Sequence, residues 1–379
     1  MKVGLIGPIH PFRNGEAQSN TMLCENLSER HEVVAFSFKR QYPNFLYPGK
    51  SQLYNSPKKL NFRHSFLINT MNPLNWLYAF FKIKKEKLDV VIVTWYIAYL
   101  APCYVVLMSL MKLFSKTQIC IFAHNVSQHE ENILNKILTW PVLALGDYFI
   151  VFSSKTEDDL KQIFPDAKVK ILVETTYDNH FKQKVVPAAQ AREKLKIKST
   201  DNVALFFGLV RPYKGVKYLI EAIPDVLKKV DVKFYVVGEF WEDIKRYRKR
   251  IAELKIEDNI TIVDQYVSDE EAIVYFSATD LFVLPYVSAT YSAVIPLAYG
   301  YNKPVIVSDV LGLTDLVDDG QTGYIVPPQN PEALAEKIVH FFAKNKQDEF
   351  VQNVKEKKKI FQWSKEKDDV VFHGILNKL

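Results

Sequence analysis

A chain of 379 residues, 48% hydrophobic and 24% charged, is long enough for two domains with separate cores. Its composition is that of a globular protein and excludes a disordered or fibrous one. Net charge is +6, but Lys39 to Lys87 holds ten Lys or Arg and one acid, Glu86, and its interleaved aromatics (Phe45, Tyr47, Phe62, Phe66, Trp76, Tyr78, Phe80, Phe81) favour an anionic lipid surface over nucleic acid.

In chain order, residues 2–7 form the first strand, beginning so early that no signal peptide is expected. It ends at Gly7-Pro8, and a polar loop with His10, Arg13, Asn14 and Gly15 leads to a helix from about Glu16 to Glu29. Glu32 to Phe38 is the second strand. Residues 40–70 lack a clear period and read as a long loop or short helices. A helix near Leu74 to Lys85 precedes the strand Asp89 to Thr94. Val90 to Met111 is uncharged over 22 residues, which is membrane-span length. It divides better into that strand, a loop and a helix interrupted at Pro102. The strand Gln118 to Ala123 delivers His124 and Asn125. A helix near Asn132 to Leu145 follows, then the strand Asp147 to Phe152, a helix capped by Ser153 or Ser154, and the strand Val169 to Val173. Cys24, Cys103 and Cys120 are odd in number and far apart. They fit buried thiols in a reducing compartment, with neither a disulfide framework nor a metal site.

Thr175 to Asp201 is polar and weakly periodic, the expected linker, with a short helix at Ala188 to Leu195. Beyond it, strands are expected at Val203–Phe207, Val232–Val237, Ile260–Val263, Leu281–Leu284, Pro304–Val307 and Tyr324–Val326, with helices between them. Asn330-Pro331 reads as an N-cap and first-turn proline, and Lys355 to Lys359 as an exposed helix face. Alternation through both halves predicts an α/β protein of two doubly wound, Rossmann-like parallel sheets facing a cleft. Ligands of such sheets bind at the carboxyl ends of strands, after Gly7, Ala123, Gly208, Gly238 and Pro285.

The most informative stretch is Phe206 to Ile220, FFGLVRPYKGVKYLI. An apolar strand ends at Gly208, and Arg211, Tyr213 and Lys214 occupy a short turn. Val216, Leu219, Ile220 and Ile223 then mark one buried helix face. Strand, basic turn and helix N-terminus can clamp a diphosphate; the alternative is a solvated basic loop. No phosphate-binding G-x-x-x-x-G-K-[ST] and no dinucleotide G-x-G-x-x-G occurs. No Asp-x-Asp and no His/Cys set at zinc spacing occurs either, so no catalytic metal is expected.

This stretch resembles the phosphate loop of GT-B glycosyltransferases of family 4 ("group 1"). VVGEFWED at 236–243, DLFVLPY at 280–286, and KPVIVSDVLGLTDLVDDGQTGYIVPPQNPEALAEKI at 303–338 extend the resemblance. HNVSQHE at 124–130 is similar to the family's His-Asn loop. The chain departs from the pattern twice. Leu209 follows the loop glycine where the family has arginine, which here comes at Arg211. The two glutamates of the E-x7-E motif would fall at Ala289 and Leu297. SATYSAVIPLAYG resembles instead a subgroup in which hydroxyl residues replace them.

The resemblance implies an acceptor domain at 1–179, a nucleotide-sugar domain at 180–362, and a terminal helix at 363–379 packing back on the first. The implied catalytic residues are His124, Arg211 and Lys214. Gly15, Asn125, Gly208, Glu239, Tyr266, Val267, Ser288, Thr290, Tyr291 and Ser292 would bind substrate. Bland alternatives stand beside these: a satisfied core histidine at 124, a solvent-facing turn at Glu239, a plain helix cap at 288–292, and core tyrosines at 213 and 291. His129 and Glu130 either cap a helix or reach the acceptor. The implied reaction moves a sugar from a nucleotide diphosphate to a glycan or lipid-linked acceptor, with retention and without cofactor or metal. It would serve polysaccharide biosynthesis in the cytoplasm, at the inner face of the plasma membrane. A non-catalytic binding subunit and a sugar-nucleotide epimerase of the same fold are the alternatives.

Overall fold

The structure, a computed structural model, describes residues 1–42, 52–54, 59–126, 133–174, 186–343 and 346–376. It divides into two units, Met1–Val173 with Trp363–Leu379, and Glu174–Gln362. The expected boundary at 179 and 180, the aromatics Phe45 and Tyr47, and His129-Glu130 lie outside the described residues.

The first unit begins β1 (Lys2–Ile6), α1 (Gly15–Leu27), β2 (Glu32–Arg40), β3 (Arg63–Asn69), α2 (Pro73–Lys85) and β4 (Val90–Trp95). It continues α3 (Ala101–Phe114), β5 (Gln118–Ala123), α4 (Ile133–Ala144), β6 (Tyr148–Val151), α5 (Ser154–Ile163) and β7 (Val169–Ile171). The sheet order is β3-β2-β1-β4-β5-β6-β7, and neighbours run parallel. β4, VVIVTW, is buried at every position, because a central parallel strand is covered on both faces. The order reverses between β1 and β4, the switch point at which such sheets take ligands. Buried Asn20 of α1 fixes the turn there. Its amide donates to the Pro8 carbonyl (2.7 Å) and its oxygen accepts from the Thr94 hydroxyl (2.8 Å).

Two local expectations are corrected. Residues 63–69 are not loop or short helix but the edge strand β3, paired with β2. Its first four residues are exposed, so no alternation of polar and apolar residues marks it. Pro102 does not interrupt a helix. It lies in the first turn of α3, after a 3-10 turn at Ala98–Leu100, where a missing N–H breaks no helical bond.

The second unit runs α6 (Ala188–Lys194), β8 (Asn202–Phe207), α7 (Val216–Leu227), β9 (Val232–Val237), α8 (Ile244–Leu254), β10 (Ile260–Val263) and α9 (Asp269–Ala278). Then come β11 (Leu281–Leu284), α10 (Val294–Gly300), β12 (Val305–Ser308), β13 (Gly323–Val326), α11 (Pro331–Ala343) and α12 (Gln347–Lys357). The parallel order β10-β9-β8-β11-β12-β13 repeats the first unit's reversal, here between β8 and β11. The last part of the expected linker is docked: Arg192 of α6 grips Asp280 with two bonds (2.8 and 2.7 Å) and donates to the Ala278 carbonyl (3.1 Å). Asn330 caps α11 as expected, accepting from the Ala333 N–H (2.9 Å). The Lys355–Lys359 run is not one helix face; α12 stops within it, and Lys357 pairs with Asp318 (2.9 Å).

The terminal segment holds two short helices, α13 (Lys365–Val371) and α14 (His373–Leu376), where one was expected. It packs within the first unit. Asp368 accepts from Arg30 (2.7 Å) and from the Trp363 indole N–H (2.9 Å), and Phe372 meets the His31 ring edge-on.

Candidate functional site

The carboxyl edge of the second unit's sheet is built largely from backbone. The Gly208 N–H donates to the Val237 carbonyl and the Gly238 N–H to the Val263 carbonyl, both at 3.0 Å. Val210 donates to Glu239 (2.9 Å) and Trp241 back to Val210 (3.0 Å). The turns after β8, β9 and β10 are thereby zipped together, with Phe240 N–H on the Asp264 carboxylate (2.9 Å) closing the last step. Two glycines permit this closeness. A Cβ on Gly238 would lie 1.9 Å from the Gly208 carbonyl oxygen, and one on Gly215 1.8 Å from that of Pro285. Both sit at positive φ, 153° and 70°, which an L side chain resists.

The basic turn is a 3-10 turn, Pro212–Lys214, ending at Gly215 ahead of α7. Tyr213 carbonyl accepts from the Val287 N–H (2.7 Å), which ties the turn to the segment after β11. Lys214 Nζ donates to the Tyr286 hydroxyl (2.7 Å) and lies 4.1 Å from the centre of the same ring. Tyr286 is fully buried, and its hydroxyl stands 3.4 Å from Ser292 Oγ. Burial, with Arg211 close by, lowers the Lys214 pKa, against a smaller opposing effect of Tyr213. Arg211 is exposed, its guanidinium 5.6 Å from the Tyr213 ring and 5.3 Å from that of Trp241. Among the described residues neither cation has a carboxylate partner. Two positive groups, one of them desolvated, are thus held on one turn by neutral aromatic rings. Such an arrangement suits an incoming polyanion.

The remaining expected residues distribute unevenly around this centre. Glu239 is buried, which corrects the solvent-facing alternative. Ser292 lies beside Tyr286 and also receives the Val294 N–H (3.4 Å) at the start of α10. Thr290 is buried, Ser288 and Tyr291 partly so. Tyr266 and buried Val267 lie after β10, the edge strand, two strands from β8. Ala289 and Leu297, where the glutamates would fall, are both buried. Tyr286, Gly215 and Trp241, which the structure places around this turn, were not singled out from the sequence, whereas Gly238 was expected at a strand end facing ligand. Glycines directly after β8 and β9, Gly208 and Gly238, were a readable signal, whereas the Lys214–Tyr286 bond spans 72 positions and leaves no local trace.

In the first unit His124 follows β5, its N–H on the Trp95 carbonyl (2.9 Å). The ring packs against Phe122 and Phe152, with centroids at 4.6 and 5.0 Å. Burial lowers its pKa to about 3, so the imidazole is neutral at pH 7. Its Nε2 is shut from solvent and lacks a hydrogen-bond partner among the described residues. An orphaned buried nitrogen costs about 1–3 kcal/mol, and a ligand hydroxyl could relieve that cost. Asn125 comes next in the chain, half-buried. Gly15 opens α1, exposed, with no atom within 4 Å of a would-be Cβ. Beside it burial raises the Glu16 carboxyl. Near the same strand ends the Tyr96 hydroxyl receives the Gln41 amide.

Comparison with known proteins finds similarity over part of the chain in sequence and over the whole of it in fold. Residues 188–359 match the family described as Glycosyl transferases group 1. An uncharacterized glycosyltransferase of Methanocaldococcus jannaschii is 27% identical over 225 residues, which are 58% of this chain and 60% of that one. The match thus spans only about three fifths of that relative's length. Sucrose-phosphate synthase from Thermosynechococcus elongatus superposes with a TM-score of 0.76 at 19% identity, covering 100% of this chain and 98% of that one. HepE of Anabaena, in complex with UDP, gives 0.75 at 16% identity with both chains covered in full. The fold is GT-B, as the motifs implied.

Proposed function

We propose, because residues 188–359 match the family described as Glycosyl transferases group 1, that the chain moves a sugar from a nucleotide diphosphate to an acceptor hydroxyl. The observation that carries this reading is Lys214. It lies half-buried against Tyr286 at the carboxyl edge of the sheet, beside Arg211, with no carboxylate partner among the described residues. When the bond between the anomeric carbon and the diphosphate oxygen breaks, its electron pair stays on the diphosphate. The two cations stabilise that charge and take the place a metal holds in other transferases. The acceptor oxygen bonds the same carbon, and its proton goes to the departing diphosphate oxygen, which holds the released electron pair. Neutral His124, whose Nε2 has no hydrogen-bond partner among the described residues, is assigned to a sugar hydroxyl. Gly208, Glu239, Tyr266 and Val267 are assigned to the nucleotide. Ser288, Thr290, Tyr291 and Ser292 are assigned to the donor sugar and ribose, with Ala289 and Leu297 where the family has glutamates. The first unit, through Gly15 and Asn125, would present a glycan or lipid-linked acceptor. Retention is carried over from the family, as is a cytoplasmic role in polysaccharide biosynthesis.

A non-catalytic nucleotide-binding subunit is the second reading, and the apolar pair Ala289 and Leu297 favours it. A panel of nucleotide sugars, UDP-sugars first because HepE was solved with UDP, tests both. A donor at a hundred times its Kd should stabilise the chain by about 2.7 kcal/mol. No stabilisation by any donor at millimolar concentration defeats both readings. Stabilisation without donor hydrolysis or transfer selects the second.

A further inference from the structure

The large apolar side chains left exposed are concentrated in one place. In the first unit α3 lies between α2 and α4 and packs on both. The outward residues of this layer include Leu74 (77% exposed), Phe81 (59%), Leu113 (73%), Ile133 (78%), Ile137 (62%) and Trp140 (56%). Soluble surfaces scatter such residues singly; a contiguous patch marks an interface. The helices do not lack a core, since Trp76, Phe80 and Ile83 of α2 and Val142 and Leu143 of α4 are buried. α2 and α4 are therefore apolar on a second, outer side.

We propose that the outer face of α2, α3 and α4 docks on an anionic lipid bilayer. The charge on the face selects this occupant. These three helices contain five lysines, Lys82, Lys84, Lys85, Lys112 and Lys136, and no acidic residue; Lys112 is held by Asp147 (2.6 Å), and Lys82, Lys84 and Lys85 at the end of α2 supply the face's positive charge. Lys82 lies over the Tyr78 ring (5.5 Å), and Lys84 over Phe80 (5.9 Å) and Phe114 (5.6 Å). Lysine stems along apolar rings with ammonium groups free to rise match the interface of a bilayer, apolar below and anionic above. A second copy of the chain is a poor occupant, because face-to-face contact would oppose Lys82, Lys84 and Lys85 with their own copies, and α2 carries no acid to pair them. Among the described residues no helix is long and apolar enough to cross a membrane, so the contact lies in the surface plane. The structure also narrows the basic stretch of the sequence. Arg63 is taken by Glu32 and Glu86 (3.0 and 2.9 Å), and Phe62, Trp76 and Phe80 are core. Lys82, Lys84 and Lys85 remain for the lipid.

The inference does not depend on the transferase reading, and its test uses the full chain without donor. The chain is sedimented with phosphatidylcholine vesicles, with and without a third of phosphatidylglycerol, at low and high salt. Binding should need the anionic lipid and weaken roughly tenfold or more as salt shortens the screening length. Phe81→Glu and Ile137→Glu alter exposed side chains on two helices. Each should weaken binding by a similar factor while leaving the melting temperature unchanged. Trp140 fluorescence should be quenched by brominated acyl chains, and that quenching should vanish in Trp140→Phe. Equal binding to neutral vesicles, no binding, or indifference to both Glu variants overturns the proposal. So does a concentration-dependent dimer that the same variants dissolve, which would make the face a contact between copies.

Discussion

The two units share one strand order but build their ligand edges differently. In the second, the turns after β8, β9, β10 and β11 are joined by backbone hydrogen bonds and by glycines whose missing Cβ is required. In the first, the corresponding edge is shaped by side chains: Asn20 on Thr94, Gln41 on Tyr96, and His124 between two phenylalanines. A backbone cradle suits a ligand part common to many donors, the diphosphate. A side-chain edge can change residue by residue, which suits an acceptor. The difference teaches where this chain can tolerate substitution.

The contrast is broken most directly at Gly215. Gly215→Ala puts a methyl where the Pro285 oxygen sits, at a φ that opposes it. We expect a loss of about 3 kcal/mol or more in unfolding free energy and loss of nucleotide binding. An alanine protein of normal stability, followed by denaturant titration, would show that the cradle relaxes freely.

Next in size is Lys214→Ala, which removes a charge-assisted contact of ~1.5–3 kcal/mol and should weaken UDP or donor binding roughly 10- to 100-fold by calorimetry. Arg211, exposed, should cost less when cut to alanine. The Lys214 pKa is lowered from 10.5, so its ammonium is lost early as pH rises. Diphosphate affinity should therefore fall in the alkaline range below pH 10.5. Stability of the free protein should rise over that window, since a buried charge disappears from the folded state before it does from the unfolded one. Lys214→Met should flatten both trends.

Smaller is the effect of His124→Ala. Loss of one ligand hydrogen bond should slow transfer about three- to tenfold while leaving nucleotide affinity nearly intact; equal loss of both would move His124 out of the reaction. Its folded pKa of about 3 lies below the ordinary 6.5. The neutral ring's stabilising effect is complete above pH 6.5 and is lost as pH falls towards 3, so the alanine protein should be less acid-sensitive across that window. Smallest is Gly15→Ala, which meets open space on a helix and should change stability by only about 0.5 kcal/mol, in the favourable direction. A large loss there would mean that the first unit's edge is as tightly built as the second's.

Much of this was legible in the chain itself. Runs such as Val203–Phe207 and Val90–Thr94 name buried parallel strands, and Val216, Leu219, Ile220 and Ile223 name a helix face, because period and burial are local properties. Gly208, Lys214 and His124 could be placed at strand ends for the same reason. Tertiary structure alone decided the rest. β3 exists because β2 offers it hydrogen bonds, although its own residues are mostly exposed. Gly215 is needed because the Pro285 carbonyl arrives from 70 residues away, and Lys214 is desolvated because Tyr286 receives it. The aromatics of α2 divide between core (Trp76, Phe80) and surface (Tyr78, Phe81) according to which side of the helix faces the sheet. A sequence specifies the propensities of each segment; which groups meet, and which charges lose their water, depends on packing between segments far apart in the chain.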